Sequence, residues 1–134
     1  MTALDPTLWR DLLGLPFRHR GRGPDAYDCY GLVLEISKRQ GIILFDTGYP
    51  EDDQAQQALI GNNLHRWKAC EPGPGAVLLF RRGALAQHVG VQIDQDRFIH
   101  ATEQFGQVKI DYLSRGAPSP QNLLIGAYRY AAHD

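Results

Sequence analysis

Two hydrophobic periods divide the chain. Up to about residue 67 the apolar residues recur at helical spacing, and from Ala76 onward they alternate with polar ones. The helical half holds three segments. Asp5-Pro6 puts a cap before a proline at the first helical position; Leu8, Trp9, Leu12 and Leu13 follow as one apolar face, and Gly14 stops it. Asp28 caps a second segment that runs to about Gln40, with Leu32, Val33 and Ile36 on its buried face and Gly41 as its stop. A third helix is expected over residues 50–67, with Ala55, Ala58, Leu59 and Leu64 facing inward. It is acidic at its start and basic at its end, as the helix dipole favours.

The run Glu71-Pro72-Gly73-Pro74-Gly75 is a turn, and the period then changes to two. Strands are expected at residues 76–81, around Val89, Val91 and Ile93, and at 98–102, 108–112 and 123–130. Helices first and strands second make an α+β fold: N-terminal helices packed on a C-terminal antiparallel sheet of about five strands. The length, 134 residues, fits one domain spanning 1–134.

Composition removes several function classes. A net charge of −1 gives no reason to expect nucleic acid as a partner. No apolar run approaches the roughly 18 residues of a membrane span. The first residues lack the basic and apolar regions of a secretion signal, so synthesis in the cytosol is expected. The two cysteines, Cys29 and Cys70, fit neither a disulfide scaffold nor a CxxC zinc site. No cofactor is expected, and Cys70 reads as structural.

The candidate chemistry starts at Cys29. It falls at the first position of the second helix, where unpaired N–H groups and the positive dipole end favour thiolate. Two readings stand: an activated nucleophile, or a small buried hydrophobe. The loop before it carries Arg18, His19, Arg20 and Arg22. These are either solvated charge or a basic rim that holds substrate carboxylates.

His88 and His100 are the histidines on expected strands. Their neighbours Val89, Val91, Ile99 and Ala101 want the core, so both imidazoles point the other way. Residues 88 and 100 have the same parity. They share a face only if the loop around Asp94-Gln95-Asp96 has an odd number of residues or a bulge, and three or five residues are expected. With the Cys29 helix laid across that face, close at Gly90, His88 would take the thiol proton and His100 would orient His88. The Cys29 N–H would serve as oxyanion donor. Two half-buried histidines satisfied by backbone are the plain alternative, and a zinc site from Cys29, His88 and His100 is a further one.

The segments Asp28-Cys29-Tyr30-Gly31-Leu32-Val33, His88-Val89-Gly90-Val91 and Phe98-Ile99-His100-Ala101 resemble the three motifs of NlpC-type cell-wall cysteine peptidases. These belong to the papain-like superfamily. The loop from Gly14 to Pro24 looks most like the phage-encoded branch of tail-assembly and tail-tip proteins. The resemblance implies a papain-like fold and a Cys29-His88-His100 triad. It further implies hydrolysis of peptidoglycan stem peptides, typically between D-glutamate and a diamino acid. Phe17, Arg18, Asp28 and Tyr30 are the substrate-binding candidates, and other phage tail proteins are candidate partners. Two alternatives stay open: a structural tail module with little or no catalysis, and an amidase or acyltransferase on the same scaffold. Three positions depart from common family residues: Phe17 where many members have Tyr, Tyr30 where many have Ser, and Ala76 where many have an acidic residue.

Overall fold

The computed structural model describes residues 3–43, 67–82, 85–115 and 122–130. The N-terminal segment folds as two 3₁₀ turns, Pro6–Leu8 and Arg10–Leu12, in place of the expected helix. Asp5 does cap it, accepting from the Thr7 N–H. Trp9, at φ −145°, separates the turns. Its ring is buried with Leu4 and Leu12, whereas Leu13 is exposed. Tertiary burial of these side chains overrides a helix too short to sustain itself.

Helix α1 spans Cys29–Arg39. Asp28 is its N-cap, and Gly41 follows the last turn at φ 87°, the left-handed region where glycine carries no Cβ penalty. Leu32, Val33 and Ile36 are fully buried. Burial of each such side chain contributes roughly 1.5–3 kcal/mol, enough to hold an eleven-residue helix against the sheet.

The strands are β1 (Trp67–Ala69), β2 (Val77–Arg82), β3 (Leu85–Gln92), β4 (Arg97–Thr102), β5 (Gln107–Tyr112) and β6 (Asn122–Tyr130). They form one six-stranded antiparallel sheet in the order β1-β6-β2-β3-β4-β5. β1 is an addition to the expected set; three residues are too few to display a period of two. The rest of the helix expected over 50–67, including His65, lies outside the described residues.

Each face of the sheet has its own core. Val77, Leu79, Val89, Val91, Ile99, Ala101 and Val108 cluster with Leu32, Val33 and Ile36 of α1. Ala76, Leu78, Phe80, Phe98 and Ala127 make the other cluster, with Cys70 and Leu113 packed against it. The sheet therefore alternates apolar sets to both sides, and α1 covers the valine side.

Candidate active site

The β3–β4 hairpin sets the geometry. Ile93 N–H donates to Arg97 O at 2.8 Å, which leaves a three-residue loop, Asp94-Gln95-Asp96. Asp94 holds that loop: its carboxylate accepts from the backbone N–H groups of Asp96 and Arg97 and from the Arg97 guanidinium. Burial opposes its charge, yet these donors keep its carboxyl below the usual range. The odd loop pairs Val91 with Ile99 and Gln92 with Phe98. His88, Gly90 and His100 then lie on one face.

There the two imidazoles meet. His88 Nε2 and His100 Nδ1 are 2.7 Å apart, and His100 Nε2 stands 2.7 Å from Asp111 Oδ2 on β5. His88 and His100 are both buried. The Phe80 and Phe98 rings flank them, with centroids 5.8 Å from His88 and 4.7 Å from His100. Asp111 reaches His100 diagonally, since His100 pairs with Lys109 and Asp111 lies two residues on, on the same face. Burial pushes the Asp111 carboxyl up, but the His100 hydrogen bond and the nearby Lys109 ammonium outweigh it and hold it below the usual range.

Asp111 was missing from the candidates read off the sequence. Its signal is there: Lys109 and Asp111 alternate with Val108 and Ile110. Placing them opposite His100 needs the β4–β5 register, which the four-residue turn 103–106 sets through Gly106 N–H donating to Thr102 O.

Two expectations about this face are corrected. The body of α1 does not lie across the histidines; its apolar residues pack with Val89, Val91, Ile99 and Ala101 on the opposite side. Gly90 does not make room for a helix start either. A Cβ there would come within 3.0 Å of Ile99 O and 3.2 Å of His100 Cβ, so the missing side chain admits the β4 backbone and the base of the His100 side chain.

Cys29 is the first residue of α1, buried and outside any disulfide, and α1 packs against β3 and β4. Among the described residues those strands pair at Val91–Ile99 and Gln92–Phe98, and both run on past His88 and His100. The histidines thus stand beside a stretch where the sheet is not laddered.

The preceding loop braces the start of α1. Asp28 Oδ1 accepts from Gly31 N–H at 2.6 Å and from Arg22 Nη1 at 2.8 Å. Arg22 also donates to Gly21 O and lies over the Tyr30 ring, 5.8 Å from its centroid. A Cβ on Gly31 would run into the Gly21 carbonyl, so this close approach requires glycine. Asp28 and Tyr30 are buried in the packing that fixes Cys29. Arg22 belongs to that brace and is not part of a solvated rim. Phe17 is half-buried against the α1 core and meets the His19 ring edge-on at 5.2 Å. His19 pairs with Glu103 at 2.9 Å, and Arg18 is exposed, its N–H donating to Tyr27 O.

The NlpC/P60 family pattern matches residues 14–126. The chain belongs to the NlpC/P60 family. Of the chain, 75% aligns at 28% identity with the murein DD-endopeptidase MepS/murein LD-carboxypeptidase of Escherichia coli K12, covering 49% of that protein. The chain thus spans about half the length of the curated relatives it matches. NlpC1 of Trichomonas vaginalis superposes with a TM-score of 0.69 at 26% identity, over 92% of this chain and 42% of that one. An NlpC/P60 family protein of Bacillus cereus gives 0.67 at 25%, over 91% and 37%. The NlpC/P60 domain of the peptidoglycan hydrolase SagA shares the fold at 0.63 and 16%, over 92% and 93%. The papain-like α+β architecture expected from the motifs is the one this NlpC/P60 chain adopts.

Among the described residues no group of three or more His, Cys, Asp and Glu side chains is arranged to hold a metal ion. No described helix is long and apolar enough to cross a membrane.

Proposed function

We propose that this NlpC/P60 chain is a cysteine peptidase that cleaves peptidoglycan stem peptides, with Cys29 as nucleophile, His88 as base and His100 as the group that orients it. The observation that carries the reading is the buried His88–His100 pair on the two strands against which the Cys29 helix packs. α1 and the histidines belong to opposite faces, so a thiol meets His88 only where β3 and β4 are not hydrogen-bonded to each other. The end of their ladder beside His88 offers that opening.

The chemistry follows from these roles. Cys29 sulfur attacks the scissile carbonyl carbon while its proton passes to His88, and the helix-start N–H of Cys29 receives the developing oxyanion. Collapse of the tetrahedral adduct breaks the C–N bond; His88 returns the proton to the leaving amine, and a thioester remains on Cys29. Water then attacks, deprotonated by His88, and frees the acid and the thiol. The cleaved bond in this proposal joins the γ-carboxyl of D-glutamate to a diamino acid. The family's cell-wall relatives support the substrate class, since MepS is a murein endopeptidase by name. The resemblance of the Gly14–Pro24 loop to tail proteins supports a place on a phage tail, with other tail proteins as partners.

Digestion of purified peptidoglycan, with products read by mass spectrometry, tests the reading. Cys29→Ala and His88→Ala are expected to lower turnover by roughly 10³-fold or more with the fold intact by circular dichroism. Lysis by Cys29→Ala at the native rate would remove the peptidase assignment and leave a structural module in its place.

A further inference from the structure

We infer that Asp111 is a positioning residue that sets the tautomers of both histidines and thereby leaves His88 Nδ1 as the atom that takes the Cys29 proton. This rests on the peptidase reading above and deepens it. The argument runs along the hydrogen bonds. An ionised carboxylate only accepts, so at 2.7 Å from Asp111 Oδ2 the proton sits on His100 Nε2. Neutral His100 then has a bare Nδ1. At 2.7 Å from it, His88 Nε2 must be the donor. His88 spends its one proton there, and its Nδ1 is left as a lone pair.

The opposite arrangement is unproductive. If His100 carried its proton on Nδ1, it would donate to His88 Nε2. His88 would then hold its proton on Nδ1 and have nothing with which to accept from a thiol. Asp111 selects between the two chains of bonds.

A second effect has the same source. Taking the thiol proton makes His88 a buried imidazolium against the Phe80 ring, while the Phe98 ring lies against His100. His88 keeps donating from Nε2 in that state, so the dipole of His100 and the charge of Asp111 are aligned to stabilise it. The titratable and charged groups in contact along this line are His100 on β4 and Asp111 and Lys109 on β5. α1 brings Cys29 and, ahead of it, Asp28 paired with Arg22. Lys109 Nζ lies 3.5 Å from the other Asp111 oxygen and leaves Oδ2 to His100.

The test reads the thiol and the rings as well as turnover. The pH dependence of Cys29 alkylation by iodoacetamide, followed on the Cys29 peptide by mass spectrometry, needs no substrate. Asp111→Asn keeps the volume and removes the charge. It is expected to move the alkylation curve toward higher pH by about one unit. It should also lower kcat by roughly 10- to 100-fold, less than the loss of the base itself, with KM little changed. Asp111→Glu should recover part of both. In the native chain, nitrogen-15 NMR of labelled histidine should show His100 protonated at Nε2 and bare at Nδ1. A native alkylation curve in Asp111→Asn, or His100 protonated at Nδ1, overturns the inference even if Cys29→Ala is inactive. An active Cys29→Ala instead defeats the peptidase reading and leaves the tautomer result standing.

Discussion

On one side of β3 and β4, Val89, Val91, Ile99 and Ala101 are packed with Leu32, Val33 and Ile36 of α1. On the other side of the same backbone stand His88 and His100, joined from β5 by Asp111. The two faces share strands, twist and burial, and His88 and His100 are as buried as the valines beside them. They differ in what burial demands. Methyl groups need only contact, whereas a buried imidazole needs a partner for each ring nitrogen. The apolar face thus tolerates changes of shape within limits, and the polar face has one arrangement of protons that works.

Substitutions can break this contrast or sharpen it. The largest effect sets His88→Ala against Ile99→Ala. The first should remove activity by roughly 10³-fold at modest cost in stability. The second, at a fully buried site, should cost roughly 2–5 kcal/mol of stability in denaturant titration and leave the pH profile of the folded fraction unchanged. A shifted profile in Ile99→Ala would show that the faces are not separable. Gly31→Ala comes next. Its Cβ meets the Gly21 carbonyl, so the loop must move off the helix start. A loss of roughly 1–3 kcal/mol is expected, together with slower alkylation of Cys29, because the same brace positions the thiol.

The smallest effect is at acid pH. The Asp111 carboxyl is lowered in the folded chain relative to the unfolded one. Its contribution to stability is therefore complete above the ordinary carboxylate range, about pH 4, and is lost as pH falls through the folded value. Asp111→Asn should lower stability by a constant amount above that range and flatten the acid limb, where the native chain loses the same contribution. An unchanged acid limb would mean that the carboxylate is not coupled to folding.

Much of the site was legible along the chain because it depends on local rules. An aspartate before a helix caps it, which fixed Asp28 and therefore Cys29 at the first turn. Alternation fixed which neighbours of His88 and His100 turn inward, and parity demanded an odd loop, which Asp94-Gln95-Asp96 supplies. The first segment has the pattern of a helix yet folds as two short turns, because Trp9 and Leu12 bury in the cluster formed with the sheet valines.

What the amino acids determined by themselves is the helix at Cys29, the five longer strands, the position of the thiol at a helix start and the shared face of the histidines. These follow from periods and caps, interactions a few residues long. Only the folded chain decided that α1 covers the valine face, that Gly90 makes room for β4 and that Asp111 closes the line of hydrogen bonds. Each of those depends on the register between strands or on the choice between two apolar faces. Both sides of the sheet carry buried apolar clusters, so alternation alone could not tell which one the helix would take.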